Sequence, residues 1–175
     1  MEKRNATSLV LDEMTYTHAC LPYLSTREAR IRLVTECNYR CFFCHEGGGC
    51  SGPKAEWKTL RPLLLALKAQ GRTDLTFTGG EPLLNKPVLL KALDEIASWD
   101  VQPQVTLVTN ATRMDESVVA ALERCRRAKV HVSVHNPRPG FYQKITGSAS
   151  MQRTNCVRFS NECHRDPSDS NSTVS

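Results

Sequence analysis

The sequence predicts an α/β fold on a parallel sheet, and three observations carry that expectation. Strand-like and helix-like stretches take turns from about residue 29 to residue 134, strand first and strand last. The joins between them carry Gly, Pro, Asn or Asp, the residues that stop helices and make turns. The composition of the 175-residue chain, 40% apolar and 23% charged, sits near the globular average. Strands that alternate with helices build βαβ units, whose crossovers are right-handed. Such a sheet is either open and doubly wound or part of a barrel.

Each element has its own signal. Ala29-Arg30-Ile31-Arg32-Leu33-Val34 alternates apolar and polar and reads as the first strand. A loop rich in Cys and Gly follows, from Glu36 to Pro53. Leu60, Leu63, Leu64 and Leu67 fall at helical spacing, which predicts a helix over Thr59–Gln70 with Thr59 as N-cap and Gly71 as the stop. Asp74–Thr78 is a short β-rich run ending in Gly79-Gly80. Pro87–Trp99 is helical, with Val88, Leu89, Ala92, Leu93 and Ile96 on one face. Val105–Thr109 is a third strand, Asp115–Cys125 a third helix, and Lys129–Val134 a fourth strand.

The ends differ from this core. Residues 1–28 show little periodicity and read as an extension. Residues 148–175 hold seven Ser and three Asn but no Leu, Ile or Gly, a composition expected of a disordered tail. The expected organisation is thus an extension at 1–28, a core at 29–147 and a polar tail at 148–175.

Composition also bounds function. The formal charge is +5 without a basic run, which gives nucleic-acid binding no support. No stretch approaches a membrane span, and the apolar run Ser8–Leu11 is cut off by Asp12 and Glu13, too short for an export signal. A cytoplasmic protein is expected, with its eight cysteines reduced. Cysteine crowding in a reducing compartment points to metal or catalysis.

Two motifs carry chemistry. Cys37-Asn38-Tyr39-Arg40-Cys41-Phe42-Phe43-Cys44 brings three thiols onto one loop past the first strand. In parallel α/β folds, sites form at that end of the strands. The spacing suits three corners of an iron–sulfur cube, with the fourth iron open. A zinc site completed by His45 or Cys50 competes with it. Thr78-Gly79-Gly80-Glu81-Pro82 ends the second strand. Its glycines permit close backbone approach, and its backbone with the Glu81 carboxylate could hold an ammonium group. A plain strand-to-helix turn is the other reading of this motif.

Taken together, the two motifs resemble the radical S-adenosylmethionine (SAM) superfamily over about residues 29–147. Its hallmark is Cys-x3-Cys-x-aromatic-Cys after the first strand, here Cys37, Cys41, Phe43 and Cys44, with Gly-Gly-Glu-Pro after the second, here Gly79, Gly80, Glu81 and Pro82. The resemblance implies a partial (β/α) barrel of TIM type, about four β-α units of which are present. It implies a [4Fe–4S] cluster on the three cysteines and SAM on the fourth iron. Reductive cleavage of SAM would then give a 5′-deoxyadenosyl radical, with an electron from a donor such as flavodoxin or ferredoxin. Phe43 would lie near the adenine, Gly80 and Glu81 near the methionine amino group, and Thr109, Asn110 and Ser133 along the SAM or substrate space. The resemblance assigns no catalytic side chain.

Within the superfamily, the sequence is most similar to the GTP cyclases of molybdenum-cofactor biosynthesis. The matching text is Arg32-Leu33-Val34-Thr35, Cys44-His45-Glu46-Gly47 and Phe141-Tyr142-Gln143-Lys144-Ile145-Thr146-Gly147. A small-molecule substrate, with a nucleotide as the candidate, is implied, and Arg30 stands where that family has an arginine used for its nucleotide. Thr76, Asn85 and His135 depart from the cyclase pattern, as does length, since relatives carry six barrel strands. Peptide or natural-product modification, or a truncated metal-binding module without catalysis, are the alternatives.

Overall fold

The computed structural model describes residues 23–24, 28–44, 52–135 and 139–147. His45, Cys50, the Cys44–Gly47 match beyond Cys44, and the tail expected at 148–175 lie outside them. Ten elements follow in order: β1 (Tyr23–Leu24), β2 (Glu28–Arg32), α1 (Trp57–Ala69), β3 (Asp74–Thr78), a 3-10 turn (Pro82–Asn85), α2 (Lys86–Ala97), β4 (Gln104–Thr109), α3 (Glu116–Glu123), β5 (Ala128–Val132) and α4 (Pro139–Thr146).

The sheet runs β1-β2-β3-β4-β5, with β2 to β5 parallel. β1 is an antiparallel addition, pairing Tyr23 with Arg30 and Leu24 with Ala29. Sequential strand order settles the choice between the two sheet types. Right-handed crossovers that always advance in one direction lay every helix on the same face, as in a barrel wall. A doubly wound sheet reverses direction and covers both faces.

Burial follows that geometry. Ala29 and Ile31, Leu75 and Phe77, and Val105 and Leu107 all join one cluster with Leu60, Leu63, Leu64 and Leu67 of α1, Leu89, Leu93 and Ile96 of α2, and Val118 and Leu122 of α3. Side chains alternate across a strand, so the residues between these face the other way. That second face carries Glu28, Arg30, Asp74, Thr76, Thr78, Gln104, Thr106, Val108 and His131, which line a cavity of about 480 Å³. Among the described residues no helix is long and apolar enough to cross a membrane.

Several boundaries differ from the sequence reading. Helix α1 starts at Trp57, and its N-cap is Glu56 rather than Thr59. The Glu56 carbonyl accepts from the Thr59 and Leu60 amides at 3.1 and 2.9 Å, while Trp57 packs on the core and extends the helix by a half-turn. The C-terminal stop is as expected: Gly71 takes φ +65° just past the cap. Strand β2 ends at Arg32, because Val34 leaves the ladder to bridge Lys54. Strand β5 ends at Val132, two residues early. Helix α4 was not expected; Gly140 and only two turns give it little periodic signal.

Asn85, one of the departures from the cyclase pattern, has a structural role. It is buried, and its amide donates to the Leu33 carbonyl at 3.1 Å and the Ala55 carbonyl at 2.9 Å. It therefore ties the exit of β2 to the entry of α1. Asn85→Ala leaves the Ala55 carbonyl short of a buried donor, and a buried group so stranded costs about 1–3 kcal/mol. Urea unfolding is expected to show a loss in that range; a change below ~0.5 kcal/mol, the size of an ordinary surface substitution, would contradict this role.

Candidate functional site

The cysteine loop begins where β2 ends, and the backbone of the β3 exit holds it there. The Leu33 amide donates to the Thr78 carbonyl at 2.9 Å, extending the ladder by one step. The Gly80 amide donates to the Val34 carbonyl at 2.8 Å, and the Glu81 amide to the Glu36 carbonyl at 2.9 Å. This approach requires both glycines. A Cβ on Gly79, whose φ is +149°, would stand 2.3 Å from the Val34 oxygen. A Cβ on Gly80 would stand 2.3 Å from the Glu36 oxygen. The contact that excludes side chains here is the chain's own backbone, immediately before Cys37.

Cys37, Cys41 and Cys44 are all half-buried. The Tyr39 amide donates to Cys37 Sγ at 3.3 Å, and the Cys44 amide closes a turn on the Cys41 carbonyl at 3.0 Å. Burial pushes the Cys37 thiol up, aided by the Glu81, Cys41 and Cys44 charges and opposed by the Tyr39 amide. Burial and then Cys44 push Cys41 up in the same way. Both therefore favour the protonated thiol at neutral pH. Among the described residues no three of His, Cys, Asp and Glu form a single-ion cage. The donors on this loop are all cysteine sulfur, the ligand type of iron–sulfur clusters.

Glu81 lies behind this loop at 1% exposure. Its Oε1 accepts from the Leu83 amide at 3.0 Å and from Thr109 Oγ1 at 2.6 Å. Its Oε2 accepts from the Asn110 amide at 2.7 Å. Three of a carboxylate's roughly four acceptor positions are thus taken by the protein. Glu81 caps the 3-10 turn, with Pro82 supplying a first position that needs no amide. The same carboxylate joins the end of β3 to the end of β4.

From β4 the connection returns to the cysteine loop. Asn110 Nδ2 donates to Asn38 Oδ1 at 2.9 Å, and Asn38 Nδ2 donates to Thr112 Oγ1 at 2.8 Å. Asn110 Oδ1 accepts from Thr112 in turn, from its amide at 3.1 Å and its hydroxyl at 2.7 Å. Ala111 is held between them at φ +59°, its amide on Thr109 Oγ1 at 2.9 Å. That conformation is costly for a residue with a Cβ and persists because its surroundings fix it.

The remaining expected residues lie at the rim. Phe43 is 45% exposed, and its ring meets His135 edge-on at 4.7 Å. Ser133 follows β5, and its amide donates to the Thr109 carbonyl at 2.9 Å. Arg30 and Thr76 face the cavity. Glu28 Oε1 accepts from Arg30 Nε and from Thr76 Oγ1, each at 2.9 Å.

The structure thus brings Cys37, Gly79, Gly80, Glu81, Thr109 and Asn110 into one backbone and hydrogen-bond network, with Cys41, Cys44 and Phe43 on its outer loop. Sequence reasoning missed Asn38 and Thr112. The string Asn110-Ala111-Thr112 carries a legible turn signal, since Asn side chains bond the backbone two residues on. Asn38 has no such local mark.

The sequence profile of the Radical SAM superfamily matches residues 31–162. A probable GTP 3′,8-cyclase of Thermococcus kodakarensis is 32% identical over 125 residues, covering 70% of this chain and 39% of the relative. The GTP 3′,8-cyclase of Hydrogenovibrio crunogenus is 30% identical over 129 residues, covering 71% and 38%. The chain therefore spans about two-fifths of the length of these relatives. Among solved structures, Streptococcus suis SuiB bound to its precursor peptide SuiA superposes with TM-score 0.64 at 17% identity, covering 92% of this chain and 36% of that one. SuiB bound to S-adenosylmethionine gives 0.59 at 19% identity, covering 78% and 31%. At these identities the likeness concerns the fold.

The Glu81 network has a measurable consequence. Glu81→Ala strands three buried donors and is expected to cost more than ~3 kcal/mol, while Glu81→Gln keeps one oxygen and costs less. Burial raises the Glu81 pKa above the usual carboxylate value, against the bonds from Thr109, Asn110 and Leu83 and the charge of Arg113. A folded value above the unfolded one means that this titration favours the folded chain most below about pH 4.3. The advantage is lost as pH rises through the folded value. The wild-type stability relative to Glu81→Gln should accordingly decline with rising pH across that window; a difference that grows with pH would contradict the assignment.

Proposed function

The chain belongs to the radical SAM superfamily, and from that premise we propose that it binds a [4Fe–4S] cluster on Cys37, Cys41 and Cys44 with SAM on the fourth iron. The observation that carries this reading is the cysteine loop itself. Three thiols stand at the C-terminal end of the parallel strands, on a backbone fixed by Gly80 and Glu81. When bound, the cluster supplies an electron that cleaves SAM to methionine and a 5′-deoxyadenosyl radical, which takes hydrogen from a substrate.

The chain's own residues prepare the site. The Tyr39 amide stabilises the Cys37 thiolate once its proton has left. With three donors already on the Glu81 carboxylate, a methionine ammonium would find one acceptor position left there. Thr109 and Asn110 act by shaping the turn that holds Glu81, Ser133 lies beside Thr109, and the half-exposed Phe43 ring would be available to the adenine. The polar cavity, lined by Arg30, Thr76, Thr106 and His131 among others, is the place for substrate.

The names of the cyclase relatives support a nucleotide substrate, and the resemblance to molybdenum-cofactor cyclases supports a context in cofactor biosynthesis. Arg30 supplies the cavity with a cation, although Glu28 shares it. Reductive cleavage of SAM consumes one electron, which a donor of flavodoxin or ferredoxin type would supply. The reducing cytoplasm, which keeps the thiols free, is the compartment this chemistry needs.

Anaerobic reconstitution is expected to load about four irons and four sulfides per chain. Cys37→Ala, Cys41→Ala and Cys44→Ala should each abolish the brown chromophore, while Cys125→Ala, a buried core position, should not. SAM should alter the paramagnetic resonance spectrum of the reduced cluster. Tight stoichiometric zinc without iron uptake, or a spectrum indifferent to saturating SAM, would overturn the reading. For the substrate, GTP should bind the loaded protein, and Arg30→Ala should raise its Kd about tenfold, or ~1.4 kcal/mol. Equal affinity in the variant would remove Arg30 from the site.

A further inference from the structure

The stretch Phe141–Gly147, which the sequence marks and the proposed chemistry leaves without a task, touches the cysteine loop. The last turn of an α-helix has carbonyls without partners inside the helix. In α4 two of these find partners in the cysteine loop. The Arg40 amide donates to the Thr146 carbonyl at 2.7 Å, and the Phe42 amide to the Ile145 carbonyl at 3.3 Å. The two amides flank Cys41.

Side chains strengthen the same contact. Tyr39 and Tyr142 are both buried, with rings edge-to-face at 5.9 Å and 81°. Tyr142 Oη donates to Tyr39 Oη at 3.1 Å. Thr146, fully buried, donates to the Tyr142 carbonyl at 2.8 Å and braces the turn from inside. Gly147 ends the helix at φ +60°, and a Cβ there would stand 3.1 Å from Arg40 Cβ. A larger residue at this position meets both a strained conformation and the loop.

We infer that the C-terminal turn of α4 is a clamp that positions Cys41 before any cluster is present. Cys37 is held from the other side, through the Glu36 carbonyl and the β3 exit. The loop thus has two anchors from distant parts of the chain, one for each end of its first half. Releasing the clamp frees Cys41 and Cys44 and leaves Cys37 in place. Tyr142, Thr146 and Gly147 are positioning residues for the proposed cluster. The inference rests on the functional reading above only where iron is concerned.

Site-resolved thiol alkylation of the metal-free full chain tests it, with buried Cys125 as the internal reporter of global unfolding. In Gly147→Val, the labelling rate of Cys41 relative to Cys37 is expected to rise about tenfold while Cys125 stays protected. Tyr142→Phe keeps the ring and removes the hydroxyl that bonds Tyr39, so the same ratio should rise about twofold to threefold; this variant decides the matter if Gly147→Val exposes Cys125. An unchanged ratio in Tyr142→Phe, or Cys37, Cys41 and Cys125 rising together in it, overturns the clamp. Iron uptake on reconstitution should fall several-fold in Gly147→Val, and full uptake beside a raised ratio would overturn its service to the cluster. A wild type that takes up no iron overturns the functional reading instead, and the two are distinguishable because alkylation needs no metal.

Discussion

The whole site depends on two strands leaving the sheet at a separation that only glycine allows. Gly79 and Gly80 pass so close to Val34, Thr35 and Glu36 that a single Cβ would overlap a carbonyl oxygen at 2.3 Å. This approach lets the Gly80 and Glu81 amides bond Val34 and Glu36, so β-like pairing continues past the end of β2 and into the cysteine loop. Cys37 is placed by that pairing. Glu81 is drawn inward by it, to where a buried carboxylate is tolerable only with donors around it. The donors come from Leu83, Thr109 and Asn110, which brings β4 into register with the site, and Asn110 closes the circuit through Asn38.

The polar side of the sheet follows from topology. Four parallel strands in sequential order send all three crossover helices to one face, and the apolar residues collect there. The other face keeps Glu28, Arg30, Asp74, three threonines and His131 around a cavity. A face so polar is poorly suited to dry packing and well suited to a polar ligand. The cysteine loop follows the C-terminal end of β2, where strand ends leave room for chemistry.

Much of this was legible in the sequence because its signals are local. Cys37, Cys41 and Cys44 lie within one loop, and their spacing states a ligand set without reference to the rest of the chain. The leucines of α1 and α2 fix both helices and their buried faces. The glycine pair was legible as a close approach, but its partner was not. The sequence reading brought a ligand to it, whereas the structure brings the backbone of residues 34–36. Contacts across long separations left no mark at all. Asn38 meets Asn110 and Thr112, Asn85 meets Leu33 and Ala55, and Tyr39 meets Tyr142 more than 100 residues away. Two-residue β1 and short α4 are held by tertiary contacts rather than by any pattern of their own.

If this backbone approach builds the proposed cluster site, the measurement that tests it most directly disturbs the approach without touching a thiol. Iron stoichiometry of reconstituted Gly80→Ala, with the sheet content followed by circular dichroism, is that measurement. The variant is expected to keep its sheet yet hold well under one iron, where the wild type should hold about four. Gly80→Ala with a full complement of four irons would contradict it.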